Sequence, residues 1–259
     1  MNDAEELEES LISIDEDIEH ILKNRITRPY STCKNIGERL WGLEGHYRTR
    51  GTLKFLLEAD ADAFFADLAR EALTYRTLLK AYEAKLDVPA TRVNGSTYHP
   101  LASAIAIGNF ELANEIDALM RRQPGKGDDE ELFAFTSLLR SLVRDQPKDI
   151  IAAKKRLAEI AGENERYAAV IEIGEAIEGK DEKTFNSALT TYLSAIDRPT
   201  RDDLDEMDPG EDRVSIEALA FIQLAKRANL KVRVKHPQVP PPLQKPDSAL
   251  PKDGYPAWP

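Results

Sequence analysis

His99-Pro-Leu-Ala-Ser-Ala-Ile-Ala-Ile-Gly-Asn-Phe-Glu-Leu-Ala-Asn-Glu-Ile-Asp-Ala-Leu-Met-Arg-Arg122 is the stretch that decides the fold. It predicts two helices with a break at Gly108-Asn109, because Pro100 suits a first helical turn and glycine readily adopts the left-handed conformation that ends a helix. After the break, apolar side chains recur on one helical face, at Leu112, Ile116, Leu119 and Met120. A hairpin of this kind cannot bury its faces alone, so the stretch predicts stacked helical neighbours.

The same pattern of helix, glycine turn and amphipathic helix occurs again over residues 165–196. The first helix is predicted to end at Gly179, and a second helix over 182–196 presents Phe185, Leu189, Tyr192 and Leu193 on one face. Two copies with unequal linkers do not make a regular repeat array, although they favour stacked pairs. The sequence therefore predicts an all-α fold of stacked antiparallel helix pairs, either α-solenoid-like or an irregular helical bundle.

The rest of the chain is also patterned for helices. We expect one helix to start at a Ser31/Thr32 cap, with an end that Gly42, Gly45 and Gly51 leave open. The other expected elements are an acidic amphipathic helix at 3–23, a long aromatic helical region at 53–86 with a break near Asp60, helices at 129–144 and after Pro147, a helix at 214–228 that is apolar nearly all round and should be buried, and an extended or strand-like segment at 231–234.

These elements are expected to form one helical domain over residues 1–235, with 1–122 and 128–235 as possible lobes. The remaining residues, 236–259, hold eight of the chain's 15 prolines. We expect this Pro-rich tail to be extended where it is ordered, and either to lie across the helices or to float.

The charge of the chain limits what it can bind. It carries 46 acidic and 35 basic residues, a formal net charge of −11 at pH 7. Such a chain has no general field that attracts phosphates, so nucleic acid is not an expected partner, whereas a basic partner is attracted. The alternative, which stays open, is that the acidic charge only keeps the protein soluble and has no role in binding a partner.

Nothing in the sequence indicates export or membrane insertion. The N-terminus is acidic and lacks a basic segment followed by an apolar run, and no run of about 20 apolar residues occurs. Cys33 is the single cysteine, which excludes an intramolecular disulfide and favours a reducing compartment. We therefore expect a cytoplasmic protein with no membrane partner.

No pattern typical of a catalytic, cofactor or metal site is present in the sequence. His20, His46, His99 and His236 occur in unrelated contexts and form no His-Glu-x-x-His zinc pattern. There is no Gly-x-Ser-x-Gly elbow, and Cys33 has no histidine near it in sequence to activate it. We expect no catalytic residues, no cofactor and no metal ligands, and we expect that the protein is not an enzyme.

Two acidic clusters supply the candidate partner-binding residues. They comprise Asp202, Asp203, Asp205, Glu206, Asp208, Glu211 and Asp212 in one loop, and Asp128, Asp129 and Glu130 before a helix. The loop does not follow the calcium-binding pattern of an EF-hand. Counted from Asp203, Met207 stands at position five in place of an oxygen ligand, Asp208 stands at position six in place of glycine, and position twelve is not a glutamate. We expect these carboxylates to contact a basic partner protein, and a solvated loop without a binding role is the alternative.

The order of several motifs resembles a known family. The motifs are Leu-Leu-x-x-Asp-x-x-Ala-Phe at 56–64, the Ala-Ile-x-x-Gly turn at 104–108, the acidic start at 128–131 before Phe133 and Phe135, the Gly-x-Asp turn at 179–181 with Phe185, the acidic loop, Ala-Leu-Ala at 218–220 and the Pro-rich close. Over roughly residues 30–245 the chain is similar to the immunity proteins of bacterial polymorphic toxin systems, most nearly immunity protein family 49. These are packing motifs without catalytic chemistry.

The resemblance implies an all-helical stack that binds and neutralises a cognate secreted toxin inside the producing cell. It supplies no catalytic residues. Together with the acidic charge, it favours a basic toxin such as a nuclease, whose active site attracts phosphates. Two alternatives stay open: a helical-repeat scaffold or adaptor whose client is unrelated to toxins, and an all-α metal-dependent hydrolase with a dispersed site.

Overall fold

The structure, a computed structural model, describes residues 3–125, 128–197, 209–246 and 249–258. Within these ranges the chain forms ten α-helices and no β-strand, so the predicted all-α fold is confirmed. Short helical turns occur at Ile21–Arg25, Tyr30–Thr32, Ala90–Val93 and Pro241–Gln244. None of the ten helices has both the length and the apolar character needed to cross a membrane.

The helices are numbered in chain order. They are α1 (Asp3–His20), α2 (Ile36–Glu58), α3 (Ala61–Glu83), α4 (His99–Ala106), α5 (Phe110–Leu119), α6 (Glu130–Arg144), α7 (Pro147–Ala161), α8 (Glu165–Gly179), α9 (Glu182–Ile196) and α10 (Ile216–Arg227). The predicted helices at 3–23, 129–144, after Pro147, 165–178 and 182–196 are thus all present.

Consecutive helices pack side by side through most of the chain. α1 packs on α2, α2 on α3, α6 on α7 and α8 on α9, while α3 contacts both helices of the α4–α5 hairpin. α10 packs against α4 and also contacts α8 and α9. Its apolar residues are buried all round, as the sequence predicts, so the last helix joins the early part of the stack to the late part.

The central hairpin has the predicted break. Gly108 has a positive φ of +72°, which explains the glycine that ends the first helix. The Asn109 side chain then caps α5 by accepting a hydrogen bond from the backbone N–H of Leu112 at 2.9 Å. Ile116 is fully buried and Met120 is 2% exposed, which confirms the predicted helix phase.

The first helix of the second hairpin ends where the sequence predicts. Gly179 is the last residue of α8, and Lys180 is the residue with positive φ, at 53°. Asp181 accepts hydrogen bonds from the backbone N–H groups of Lys183 and Thr184 at 3.0 Å each and so caps α9. These bonds to the next helix fix the turn around Lys180.

The predicted start of the second helix is wrong. α2 begins at Ile36 rather than at a Ser31/Thr32 cap, because Tyr30–Thr32 form a separate 3₁₀ turn and Asn35 is left-handed. The helix then runs through all three glycines and takes in residues 53–58, which the sequence places in the next helix. The predicted break near Asp60 is confirmed, because the Asp60 side chain caps α3.

Close packing explains Gly51, one of the three glycines that left the predicted end of this helix open, and also Gly37 in its first turn. A Cβ on Gly51 would lie 3.0 Å from the Cβ of Asp67 and 3.1 Å from the carbonyl oxygen of Phe64, both on α3. A Cβ on Gly37 would lie 2.7 Å from the Cα of Val88. Glycine costs helix propensity at these positions, but it lets α3 and the turn after α3 approach the α2 backbone.

The described end of the Pro-rich segment lies across α2 and α3. Its backbone carbonyls accept hydrogen bonds: Tyr47 Oη of α2 donates to Gly254 O and Thr77 Oγ1 of α3 donates to Pro256 O, the latter at 2.8 Å. Tyr30 Oη, in the turn before α2, donates to Ala257 O at 2.8 Å. The Trp258 ring lies 6.0 Å from the Tyr30 ring. Residues 231–234, predicted to be extended or a strand, form neither a helix nor a strand pair.

Candidate functional site

The acidic loop falls only partly within the described residues. Asp202, Asp203, Asp205, Glu206 and Asp208 lie outside them. Glu211 and Asp212 are described, with side chains 32% and 40% exposed, and both line a cleft at the centre of the molecule. The structure therefore gives the described end of the loop a definite location.

The other acidic cluster is largely occupied by local structural contacts. The Asp128 carboxylate is 1% exposed and accepts hydrogen bonds from Arg121 Nη2 at 3.0 Å and from the Gly125 N–H at 2.7 Å. Asp129 caps α6 by accepting from the Leu132 N–H at 2.8 Å. Glu130 is exposed in the first turn of α6. Asp128 and Asp129 thus stabilise a turn and a helix end, and none of the three lines the cleft.

The central cleft has a volume of about 1080 Å³. It is lined by residues of α1 and α2, the start of α4, the start of α8, the end of α9 and the segment 209–217. This is a common size for a ligand pocket. Residues that are far apart in sequence therefore meet around one opening.

The rim of the cleft is acidic. We define the rim as Glu211 and Asp212 together with the α1 face that carries Ser10, Ser13 and Ile14, all of which line the cleft. Helical spacing places Glu6 and Asp17 on the same face of α1, one turn before Ser10 and one turn after Ser13, and both are exposed. Arg213 lies 4.0 Å from Asp212 and offsets part of its charge, but the carboxylates of Glu6, Asp17 and Glu211 leave the rim negative, so it attracts a positively charged group.

A buried ion pair lies behind the α2 wall of the cleft. Arg48 Nη1 lies 3.2 Å from Oε1 of Glu71, whose side chain is fully buried, and Ser103 Oγ donates to Glu71 Oε2 at 2.6 Å. Burial raises the pKa of the Glu71 carboxyl, and the positive charge of Arg48 opposes this shift. Glu44, also buried, lines the cleft beside this pair.

A second carboxylate, Glu217, is held by two hydroxyl groups. Tyr98 Oη donates to its Oε1 at 2.9 Å and Ser215 Oγ donates to its Oε2 at 3.2 Å. Ser215 is also the N-cap of α10, so the start of this helix positions both residues. Both oxygens of Glu217 are thereby occupied by donors of the protein itself.

Arg166 lies in the first turn of α8, among aromatic rings. Its guanidinium carbon lies 5.8 Å from the centre of the Tyr167 ring, 5.9 Å from that of Tyr192 and 6.0 Å from that of Phe135. Its Nε is buried, and no described residue accepts a hydrogen bond from the guanidinium. This cation is held in place by aromatic faces and not by a carboxylate contact.

Other buried polar atoms of cleft-lining residues also have no hydrogen-bond partner among the described residues: Tyr192 Oη, His99 Nε2 and Gln238 Oε1. The Tyr192 hydroxyl is buried near Arg166 and Ser215 without reaching hydrogen-bond geometry. His99 Nε2 is buried too, and the nearest carboxylate oxygen, Oε1 of Glu211, is 3.8 Å away. Burial, with the positive charges of Arg48 and Arg166, holds the pKa of His99 well below its usual value, so the imidazole is neutral at pH 7.

Most of these residues carry no signal of a site in the sequence. His99 and Tyr192 fit helix patterns, and Arg166 and Glu217 belong to no recognisable motif. One signal was readable: Glu71 lies on the apolar face that Leu68, Ala72 and Tyr75 share, and a charged residue on a buried face requires a partner. Only the tertiary structure shows which residue that partner is.

Over the four described ranges, no three His, Cys, Asp or Glu side chains come together in a way that could hold a metal ion. Cys33 is buried and lies outside the cleft. The cleft therefore offers hydrogen-bond donors, aromatic rings and carboxylates as its binding groups.

Comparisons with known proteins do not identify a relative. No protein-family model matches the chain, and no curated protein or solved structure matches it significantly. The resemblance to immunity proteins thus depends on the motifs quoted for it, and the function has to be argued from the cleft.

Proposed function

We propose that this protein is an immunity protein that binds a cognate basic toxin and neutralises it inside the producing cell. The observation that supports this proposal is the acidic rim of the central cleft. It brings Glu211 and Asp212, from one predicted binding cluster, beside the acidic face of α1. The motif order quoted above gives independent support.

The rim suits recognition of a charged protein surface. Its carboxylates are exposed, so their main effect on a basic partner is faster association that weakens as salt increases. The cleft behind the rim adds buried aromatic and polar groups. A partner side chain that inserts into the cleft is bound more strongly by these groups than by the exposed carboxylates of the rim. A toxin segment that enters the cleft would be anchored there.

The test is co-expression with the product of the adjacent open reading frame, which the proposal expects to be the toxin. We expect the toxin alone to arrest growth, and the pair to grow and to co-purify as a complex. A toxin that still arrests growth at matched expression of this protein, with no complex formed, would reject the immunity function.

Charge variants then test the rim. In the variant Glu6→Gln/Asp17→Asn/Glu211→Gln/Asp212→Asn, we expect the association rate with the toxin to fall about tenfold or more at low salt, while the melting temperature stays near that of the wild type. Asp62→Asn/Glu83→Gln/Glu163→Gln/Glu172→Gln is the matched control, because it also removes four negative charges, all four residues are exposed and none lines the cleft. Equal loss of rate in the two variants would mean that net charge, and not the rim, steers binding.

A second candidate function, hydrolysis, is favoured by two neighbouring carboxyl groups, those of Glu44 on α2 and Glu71 on α3. A carboxyl group with a raised pKa beside another carboxyl group is typical of acid–base catalysis. Glu71 has the raised pKa, and Glu44 lines the cleft next to it. Turnover of phosphomonoesters and phosphodiesters with Mg²⁺, Mn²⁺ or Zn²⁺ that is lost in Glu44→Gln would support this candidate, and no turnover in the wild type would reject it.

A further inference from the structure

Three hydrogen-bonding groups lie together at the floor of the cleft without a partner. We define the floor triad as Arg166, Tyr192 and His99, all of which line the cleft. The buried atoms Arg166 Nε, Tyr192 Oη and His99 Nε2 have no hydrogen-bond acceptor among the described residues. The three residues come from α8, α9 and α4, so the fold brings them together from distant parts of the chain.

Leaving buried donors unpaired is costly. A buried polar group without a partner typically costs about 1–3 kcal/mol. Arg76 and Arg121 also have an unpaired Nε, but each pairs with a carboxylate through another guanidinium nitrogen, Arg76 with Glu115 and Arg121 with Asp128. Arg166 has no such contact with any described carboxylate. The floor triad therefore differs from the ordinary buried arginines of this protein.

No carboxylate oxygen among the described residues lies within hydrogen-bond distance of the triad's unpaired atoms, although Glu211 Oε1 is 3.8 Å from His99 Nε2 and the negative charge of Glu217 acts on Arg166 and Tyr192. Glu217 accepts hydrogen bonds from Tyr98 and Ser215, and Glu71 accepts from Ser103 and pairs with Arg48. Gln238 Oε1, which also lines the cleft, is a buried acceptor without a partner, but it carries no charge, so a charged acceptor at hydrogen-bond distance from the triad has to come from a ligand. The space for it exists, because the triad borders a cleft of about 1080 Å³.

We propose that the floor triad is a binding site for an oxyanion, a carboxylate or phosphate group, on a ligand that enters past the acidic rim. The Arg166 guanidinium supplies the positive charge and Tyr192 Oη donates a hydrogen bond. His99 donates a second one in the tautomer that carries its proton on Nε2. The ligand bears a cationic group as well, because its other end faces the rim carboxylates.

Electrostatics at the floor agree with this assignment. Burial is the main reason that the pKa of His99 is low, and the positive charges of Arg48 and Arg166 lower it further. The same positive charges attract an anion to the position that His99 faces. The proposal does not depend on the immunity function, since an oxyanion site serves a small ligand and a protein side chain equally well.

The floor triad can be tested by NMR titration of the full chain. The arginine Nε–H signals are followed as inorganic phosphate, hexanoate and 6-aminohexanoate are added in turn. We expect the Arg166 signal to shift and saturate, while the signal of Arg156, which lies over the Phe133 ring outside the cleft, stays in place. Phosphate and hexanoate distinguish the two oxyanions, and tighter binding of 6-aminohexanoate than of hexanoate reports the cationic group.

Variants make the test specific. Tyr192→Phe should weaken the best-bound probe about tenfold, because one hydrogen bond to a charged ligand is lost. Arg166→Gln should abolish saturable binding, as followed by calorimetry. Tyr75→Phe is the matched control, because its hydroxyl is also buried and unpartnered but lies away from the cleft.

The proposal is overturned if no probe gives a saturable shift of Arg166 in the folded wild type. It is also overturned if Tyr192→Phe binds like Tyr75→Phe, or if Arg156 shifts as much as Arg166. Tyr192→Phe keeps the ring and so keeps the test valid even if Arg166→Gln fails to fold. Probes that bind equally well with and without an amino group would remove the cationic part of the ligand from the proposal.

Discussion

Arg140 and Arg166 are both arginines of the helix stack, and their surroundings are opposite. Arg140, on α6, is 2% exposed; its Nε donates to Asp117 Oδ1 at 2.5 Å, and its Nη1 donates to Arg121 O at 2.6 Å. It also donates to the carbonyl oxygens of Asp117 and Met120, so it closes the end of α5. Arg166 has aromatic neighbours and no acceptor among the described residues.

The difference separates structure from function. A guanidinium whose donors are all satisfied by the fold contributes to stability and has no capacity left for a ligand. A guanidinium with unused donors beside a cleft contributes little to stability and keeps that capacity. Burial of a charged residue alone does not mark a site, whereas burial with unused donors does.

The largest expected effect is on the satisfied arginine. Arg140→Met leaves Asp117, whose side chain is 4% exposed, without its buried partner, and should lower the free energy of unfolding by about 3–5 kcal/mol. Urea unfolding measures this change. A loss under about 1 kcal/mol would show that Arg122 and Arg144, which also contact Asp117, can replace Arg140 and would weaken the contrast.

The apolar side of the same region gives the next effect. Ile116 precedes Asp117 on α5 and is fully buried, so Ile116→Ala creates a cavity and should cost about 2–5 kcal/mol of unfolding free energy. The same unfolding measurement checks it. A cost below about 0.5 kcal/mol would mean that the hairpin can close around the missing atoms.

The matched substitution at the floor of the cleft should cost much less. Arg166→Met loses contacts with aromatic rings but no hydrogen bond to a described residue, so we expect a change in unfolding free energy below about 1 kcal/mol. The comparison with Arg140→Met, measured side by side, is the sharpest check. Equal losses in the two variants would remove the distinction between them.

The smallest effect concerns pH. The folded-state pKa of His99 is below its unfolded value of about 6.5, so the unfolded chain binds more protons as the pH falls through this value. Its contribution to stability is therefore complete above pH 6.5 and is lost progressively below it. We expect His99→Gln to flatten the pH dependence of unfolding free energy between about pH 6.5 and pH 5. An unchanged slope would contradict a His99 that stays neutral in the folded protein.

Local patterns predicted the helices well, and tertiary contacts limited the rest. The α4–α5 hairpin follows from Gly108 and from the spacing of the apolar residues on α5, which are local signals. The start of α2 does not follow from local signals, because it depends on the turn at 87–89 that packs against Gly37. Helix propensity disfavours glycine at position 51, whereas the close approach of α3 requires a residue without a Cβ there.

The floor triad could not be predicted for a related reason. Its members lie at 99, 166 and 192, each inside a helix pattern that explains it without a ligand. The three residues lie on three different helices, so no single helix pattern contains two of them. The acidic rim was partly predicted, since Glu211 and Asp212 belong to a visible cluster, but its position beside α1 comes only from the packing.

The contact of the Pro-rich segment with α2 and α3 has a consequence for the order of events during synthesis. Thr77 and Tyr30 receive their acceptors from Pro256 and Ala257, which follow them by 179 and 227 residues. At translation rates of about 5–20 residues per second, roughly ten to thirty seconds pass between the completion of α3 and the arrival of these carbonyls. During that interval the groove between α2 and α3 is open on the nascent chain, and its last hydrogen bonds form only when elongation is almost complete.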